Sequence, residues 1–344
     1  MNKFLTLVFC FVMPLASCSE ASDNYRIEGY SKDVKAVTKA MLDVQDLGVF
    51  SEEGLLGAAE FVFSCVGSTS FEEERMLEKL DVFLNEWDSR AAGKEVLPYH
   101  AKRAALIRFM ASLDDNAKAK QTPTDLLELC PDNGFVWMIA AEDAWRKGEW
   151  TECKNSCEKA FNSETVTTYA RGFKARIHTA VQEMGLLGDR TAKFSAFQRT
   201  SPVEMDFLIR HLCLLNNLKF IQDFAYSVEE LESPELAARK YLSLLSDSLP
   251  VGSLGIGNAL HKKLLMDCTT ALCQKEKELV EEEYQLIKLR IKVRKMLING
   301  GNPEALKAYL DDDIDAYVQD VTGQPTQRLN WKQFWERNWP TKVK

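Results

Sequence analysis

The sequence has few of the residues that interrupt helices and no excess of positive charge. Proline accounts for 10 and glycine for 17 of the 344 residues, which excludes collagen-like and low-complexity chains. The 43 Lys and Arg residues are outnumbered by 51 Asp and Glu residues, and the net charge is −8. Because nucleic-acid binding depends on a positive surface, nucleic acid is not expected as a partner.

The motifs of common catalytic and metal sites are also missing. The sequence contains no CxxC pair, no HExxH and no GxSxG, and its four histidines are scattered. These absences argue against a zinc site, a thioredoxin-type redox pair and a serine hydrolase. The acidic run Asp311–Asp315 lacks the spacing of a calcium loop. The sequence therefore predicts no metal, no cofactor and no catalytic residue that can be named.

Residues 1–17 have the three parts of a secretory leader. Lys3 supplies a positive charge, an apolar stretch runs from Phe4 to Leu15, and small residues follow. This stretch is too short and wrongly flanked for a helix that stays in the membrane. No apolar run of about 18 or more residues, the length that a spanning helix needs, comes later. The sequence therefore predicts an exported chain without a spanning helix.

The leader ends in the sequence LASC at residues 15–18, which resembles the lipobox of bacterial lipoproteins. The resemblance implies that Cys18 carries a diacylglyceryl group and becomes the first residue after cleavage. In similar lipoproteins a residue other than Asp after the cysteine, here Ser19, accompanies location in the outer membrane, facing the periplasm. Residues 18–26 are then the lipidated cysteine and a polar tether, and the lipid is the only contact with the membrane. The alternative is an ordinary leader whose small residues include a cysteine.

The rest of the sequence has the spacing and the end signals of helices. Apolar residues recur at intervals of three and four, and Pro123 and Pro234 each follow a residue type that caps helices. Gly148 follows a periodic stretch, as glycine often does where a helix ends. Residues 287–294 alternate apolar with basic side chains, but the strongly helical stretch before them favours one continuous helix over residues 274–298. The prediction is an all-α protein.

Residues 133–165 resemble a tetratricopeptide unit, which is a helical hairpin of about 34 residues. The resemblance rests on Trp137, Ala140, Ala141 and Ala144 in the first helix, Gly148 at the turn, and Trp150, Cys153, Cys157 and Ala160 in the second. It departs from the family where Ala144 replaces a large aromatic residue and Thr165 replaces the closing proline. The resemblance implies an irregular array of antiparallel helical hairpins, a tetratricopeptide-like solenoid. The alternative is a helical bundle.

Seven cysteines lie beyond the predicted lipidation site, and an odd number leaves at least one of them unpaired within the chain. Cys153 and Cys157 stand four residues apart at packing positions of a helix, which predicts burial. Cys268 and Cys273 stand five apart, which places them about 140° apart around a continuous helix. They can form a disulfide only if the helix breaks near residues 269–270. The bonded and the unbonded pair both remain open.

After the leader and the tether, weakly marked boundaries in the sequence divide the chain into three parts. These are a first helical array at 27–201, a second helical region at 202–321, and a linker with a C-terminal Trp-rich helix at 322–344. Trp331, Trp335 and Trp339 are candidates for an aromatic platform that binds a partner peptide or a glycan. The alternative is that this helix covers an apolar end of the array.

Together these features predict a non-enzymatic, membrane-anchored periplasmic lipoprotein that acts as a helical protein–protein interaction scaffold. Its partner would be another envelope protein. The layout is similar to that of bacterial lipoproteins in β-barrel assembly, pilus-secretin targeting and peptidoglycan-synthase control. Two alternatives remain. A cell-wall glycan-active enzyme requires a buried carboxyl group with a raised pKa in a cleft, and a glycan-binding lipoprotein requires exposed, coplanar indoles.

Overall fold

A computed structural model of the chain describes residues 30–66, 73–92, 98–112, 122–170, 172–186, 234–248, 258, 261–262, 265–266, 268–298 and 331–338. Every regular element in these residues is a helix: eleven α-helices and one short 3₁₀-helix. The prediction of an all-α fold is therefore confirmed for this part of the chain. None of the described helices combines the length and the hydropathy that crossing a bilayer would require.

The α-helices are numbered here in chain order. They are α1 Tyr30–Asp43, α2 Glu52–Cys65, α3 Glu73–Ala91, α4 Pro98–Ser112, α5 Pro123–Leu129, α6 Gly134–Lys147, α7 Trp150–Asn162, α8 Phe173–Glu183, α9 Pro234–Ser248, α10 Ala271–Ile298 and α11 Trp331–Asn338. The 3₁₀-helix Leu47–Val49 lies between α1 and α2. Because α10 is continuous, residues 287–294 are helical, as predicted from the stretch that precedes them.

Helix α2 is the centre of the fold. Every residue from Gly54 to Cys65 is buried, because α1, α3, α4 and α8 pack around this helix. A helix that is apolar around its whole circumference suits such a position. The approach of α8 is the closest, since a Cβ atom added at Gly57 would clash with the backbone carbonyl of Arg176.

The main hydrophobic core joins the first helices to two later ones. It runs from Val37 of α1 to Val181 of α8 and also contains Tyr241 of α9 and Ile287 of α10. Helix α9 packs on α7. The predicted boundary near residue 201 and the predicted linker at 322–330 both lie outside the described residues.

Several helices begin and end at the residues that the sequence signals indicated. Thr122 caps α5 and forms a reciprocal capping box with Asp125, and Pro123 occupies the first turn. Helix α9 begins at Pro234. Helix α6 ends at Gly148, whose φ of 75° lies in the left-handed region that glycine enters without strain.

Helices α6 and α7 form an antiparallel hairpin over the segment that resembles a tetratricopeptide unit. Cys153 and Cys157 are buried between the helices and their neighbours, as predicted. Asn133 joins the two ends of the hairpin: its side-chain amide donates to the carbonyl of Thr167 at 2.8 Å, and its Oδ1 accepts from the amides of Phe135 and Thr167 at 3.1 and 3.0 Å. One side chain therefore both caps α6 and holds the chain that leaves α7.

The helix after the hairpin does not extend it as a further unit of a regular solenoid. Between α7 and α8, which begins at Phe173, the described residues 163–170 and 172 form no helix. The main partner of α8 is α2, which lies far earlier in the sequence. The described helices therefore show an all-α architecture in which α8 packs mainly on α2 and not on the hairpin that precedes it.

Candidate functional site

The first polar cluster of interest is an ion triad of Glu60, Arg103 and Arg176, contributed by α2, α4 and α8. Arg176 donates from Nε to Glu60 Oε2 and from Nη2 to Glu60 Oε1, both at 2.7 Å. Arg103 donates from Nε to the same Oε1 at 3.0 Å. All three side chains are almost completely buried. A buried carboxylate with this many charge-assisted hydrogen bonds is a strong link between three helices.

The electrostatics of the ion triad argue against a role in acid catalysis. Burial by itself would raise the pKa of Glu60, but the charges and hydrogen bonds of Arg176 and then of Arg103 outweigh it, and the pKa lies below its usual range. Glu60 is therefore held as a carboxylate acceptor. A glycan-active enzyme needs the reverse, a carboxyl group that keeps its proton.

The ion triad was not among the sites predicted from the sequence, although the sequence contains one signal for it. Glu60 is the single acidic residue in the apolar run LLGAAEFVFSC at residues 55–65. A carboxylate in such a run must find a partner when the helix is buried. The sequence does not indicate which residues pair with Glu60, since Arg103 and Arg176 stand 43 and 116 residues away along the chain.

The second cluster is named the C-terminal polar cluster and consists of Arg239, His261, Cys268, Cys273 and Glu276. Arg239 belongs to α9, and Cys273 and Glu276 belong to the first turns of α10. Arg239 donates from Nη1 to the sulfur of Cys268 at 3.0 Å and to the sulfur of Cys273 at 2.8 Å. Its Nε lies 3.2 Å from Glu276 Oε2, and His261 Nε2 lies 3.9 Å from the same oxygen.

The start of α10 brings the two cysteines together. Helix α10 begins at Ala271, and the amide of Cys273 donates to the hydroxyl of Thr270 at 3.2 Å. The chain therefore turns between the cysteines, at the place where a disulfide would require a break in the helix. Their Cα atoms are 6.0 Å apart, within the range of protein disulfides, and the two sulfur atoms are bonded.

Of the three C-terminal tryptophans, Trp331 and Trp335 lie in the described residues, and they do not form an exposed aromatic platform. Trp331 and Trp335 of α11 are 0% and 2% exposed. Trp331 donates from Nε1 to Glu283 at 3.3 Å, and Trp335 donates from Nε1 to Ser243 at 2.5 Å. The platform hypothesis is wrong for these two residues, because indoles packed against α9 and α10 cannot stack on a partner. Helix α11 instead covers an apolar surface, which was the alternative.

Other candidate residues are placed as follows. Cys18 and Trp339 lie outside the described residues. Hydrogen bonding with Cys153, together with burial, raises the pKa of the Cys157 thiol well above its usual range, and Cys157 packs in the buried core. Among the described side chains, no group of three or more His, Cys, Asp or Glu residues is arranged to hold a metal ion.

The described residues thus contain a buried ion triad in the first core and a buried cluster with two cysteines beneath α11. Both must be interpreted from their own geometry: no protein-family model, no curated protein and no solved structure matches this chain.

Proposed function

We propose that the protein is a bacterial lipoprotein, anchored to the outer membrane by a lipid on Cys18, that acts in the periplasm as a helical scaffold for another envelope protein. The observation that carries the proposal is the sequence LASC at residues 15–18, placed directly after a positive residue and a short apolar stretch. Two or more acyl chains on one cysteine hold a protein at a membrane firmly, whereas one chain does not.

Two further features support an anchored, exported protein. Removal of residues 1–17 leaves a net charge of −9, and an acidic body gains no attraction from anionic lipids. Attachment therefore has to come from the acyl chains. The distance of 6.0 Å between the Cα atoms of Cys268 and Cys273 suits a disulfide, which persists in an oxidising compartment such as the periplasm.

The scaffold part of the proposal is supported by the hairpin of α6 and α7. At its turn, the rings of Trp145 and Trp150 meet edge to face with centroids 5.0 Å apart, and Trp150 is 37% exposed. Partly exposed tryptophans are enriched at protein interfaces and often carry much of the binding energy. Irregular stacking of such hairpins, in the manner of tetratricopeptide proteins, is part of this proposal.

The two rival functions lack a supporting observation in the described residues. The carboxyl group of Glu60 has a lowered pKa, whereas an enzyme of this kind needs a raised one. Trp331 and Trp335 are buried, whereas a glycan-binding surface needs them exposed.

The anchor is tested by replacing each cysteine of the leader region in turn. We expect Cys18→Ser to abolish incorporation of labelled palmitate into the full-length chain and to release the protein from the membrane fraction. Cys10→Ser, the matched control, should retain both the label and the membrane location, because bulky Phe9 stands where cleavage needs a small residue. A labelled Cys18→Ser protein, or a mature chain that still begins with Met1 in the mass spectrum, would contradict the anchor.

The scaffold is tested by mild crosslinking in intact cells followed by purification of the full chain in detergent. We expect the wild-type protein to retain a specific envelope protein and Trp150→Ser to retain several-fold less of it, because an exposed aromatic contact is lost. Val82→Ser is the matched control, since Val82 is also an exposed apolar residue but lies on α3. Recovery of no specific protein, or an equal loss in both variants, would count against the proposal.

A further inference from the structure

The two sulfur atoms of the C-terminal polar cluster differ in their access to solvent. Cys273 is 0% exposed, whereas Cys268 is partly exposed. Near Cys268 in the sequence, Met266 is 72% exposed, and Thr269 and Thr270 are also exposed. Of the two cysteines, Cys268 is therefore the one that a peptide thiol can approach from solvent.

The buried sulfur has the surroundings that stabilise a thiolate. The sulfur of Cys273 accepts from Arg239 Nη1 at 2.8 Å and from the Thr270 hydroxyl at 3.0 Å. Cys273 is also the third residue of α10, where the helix dipole favours negative charge. Arginine and a helix N-terminus both stabilise the ionised thiol. An attack on Cys268 thus releases the sulfur that best accommodates the negative charge.

The position of Arg239 is unusual for a disulfide with a purely structural role. Disulfide sulfurs are weak hydrogen-bond acceptors, so a buried guanidinium gains little from the bonded pair. A thiolate would instead accept a charge-assisted hydrogen bond, which is about twice as strong as a neutral one. Glu276, which is completely buried, forms an ion pair with Arg239 through its Oε2 at 3.2 Å from Nε, with no hydrogen bond between these two atoms. The cluster therefore favours the reduced pair more than an apolar setting would, and stabilisation of the reduced form makes a disulfide a better oxidant.

We infer that Cys268 and Cys273 form a redox-active disulfide that oxidises pairs of thiols in other exported proteins. A substrate thiolate attacks the Cys268 sulfur, the bond between the two cysteines breaks, and Cys273 leaves as a thiolate. The second substrate thiolate then attacks the substrate sulfur of this mixed disulfide and releases Cys268. The substrate dithiol loses two electrons and two protons and becomes a disulfide, and the cysteine pair gains them and becomes a dithiol. This activity is separate from the scaffold function, and only the choice of exported proteins as substrates rests on the proposed export of the chain.

The inference is tested by equilibrating the purified full-length chain with glutathione. Mixtures of reduced and oxidised glutathione are applied, free thiols are trapped by alkylation, and the state of Cys268 and Cys273 is read by mass spectrometry. We expect the pair to change from oxidised to reduced within the accessible range of glutathione mixtures, unlike a structural disulfide, which resists reduction by glutathione. In Arg239→Met, we expect the equilibrium constant to shift about tenfold towards the oxidised pair, because the hydrogen bonds to the thiolates are lost.

Matched variants separate this effect from general damage to the fold. Lys288→Met removes an exposed cation of α10 whose side chain lies over the Tyr284 ring, away from the sulfurs, and should leave the equilibrium constant unchanged. Thr270→Val removes the hydroxyl that donates to the Cys273 sulfur and accepts from the Cys273 amide, and it should shift the constant in the same direction as Arg239→Met, by about threefold. It serves in place of Arg239→Met if the latter variant does not fold, as judged by circular dichroism.

Three results would overturn the inference. The first is a purified chain with Cys268 and Cys273 both free under air. The second is a pair that stays oxidised in every glutathione mixture. The third is an equilibrium constant that is the same in the wild type, Thr270→Val and every folded Arg239 variant. Because the measurement uses the isolated protein, failure of the anchor or of the scaffold would not affect it.

Discussion

Replacement of Glu60 by glutamine is expected to lower the free energy of unfolding by about 3–5 kcal/mol, because the loss of one member of a buried ion pair leaves uncompensated charge. Glu60→Gln removes the carboxylate that forms ion pairs with two buried guanidinium groups, those of Arg103 and Arg176. Urea unfolding at neutral pH, followed by far-UV circular dichroism, measures the change. Glu78→Gln is the matched control, because Glu78 is exposed on α3, and it should change the stability by less than about 0.5 kcal/mol.

The same variant should change how stability depends on pH. The pKa of Glu60 is lower in the folded chain than its ordinary value. The stabilisation from its carboxylate is therefore complete above the unfolded pKa, about 4.3, and is lost as the pH falls through the folded-state pKa. The difference in stability between the wild type and Glu60→Gln should shrink as the pH falls below about 4. A stability difference between the two proteins that stays constant from pH 7 to below about pH 4 would show that the arginines do not hold the Glu60 carboxylate ionised.

Gly57→Ala is expected to lower the free energy of unfolding by about 2 kcal/mol or more, as overpacking in a tight core does. A Cβ atom at Gly57 would clash with the carbonyl of Arg176 and lie 2.9 Å from the amide nitrogen of Ile177. Both are backbone atoms of α8, so the two helices would have to move apart. This separation would also lengthen the hydrogen bonds between Glu60 and Arg176.

Gly54→Ala is the matched control, because it places the same methyl group one turn earlier on α2. There the nearest atoms belong to the carboxylate of Glu183, which is the flexible end of a side chain and accepts a hydrogen bond from the Ser51 amide at 3.0 Å. Displacing this carboxylate breaks its hydrogen bond and lowers the free energy of unfolding by about 1 kcal/mol. Replacing a helical glycine by alanine raises the free energy of unfolding by about the same amount. Urea unfolding of both variants should show a clear loss for Gly57→Ala alone. Equal stability of the two variants would show that α2 and α8 are not in backbone contact.

The sequence predicted those parts of the structure that depend on short-range signals. Pro123 and Gly148 mark the ends of helices because the constraints on their backbone act locally. The geometry of a five-residue spacing showed that Cys268 and Cys273 could meet only if the helix broke between them. Helix α10 begins at Ala271, immediately after such a break.

The parts that could not be predicted depend on contacts between distant segments. Trp331 and Trp335 stand four residues apart and form one apolar stripe, but such a stripe does not reveal whether it packs on its own chain or on a partner. The burial of both indoles follows from α9 and α10, which precede them by many residues. The contact of Arg239 with the two cysteines could not be predicted either, because no local pattern connects it with residues that lie 29 and 34 positions later in the chain.

The ion triad also has a consequence for the kinetics of folding. The hydrogen bonds from Arg176 to Glu60 span 116 residues, so α2 gains its closest neighbour only after a long segment of chain has been made. Contacts between residues so far apart in sequence form slowly, since a large loop must close before they contribute. Until then the apolar surface of α2 is exposed to other molecules, and intermediates of this kind are prone to aggregate. A nascent chain shorter than about 180 residues would therefore be a natural target for a chaperone that binds apolar helices.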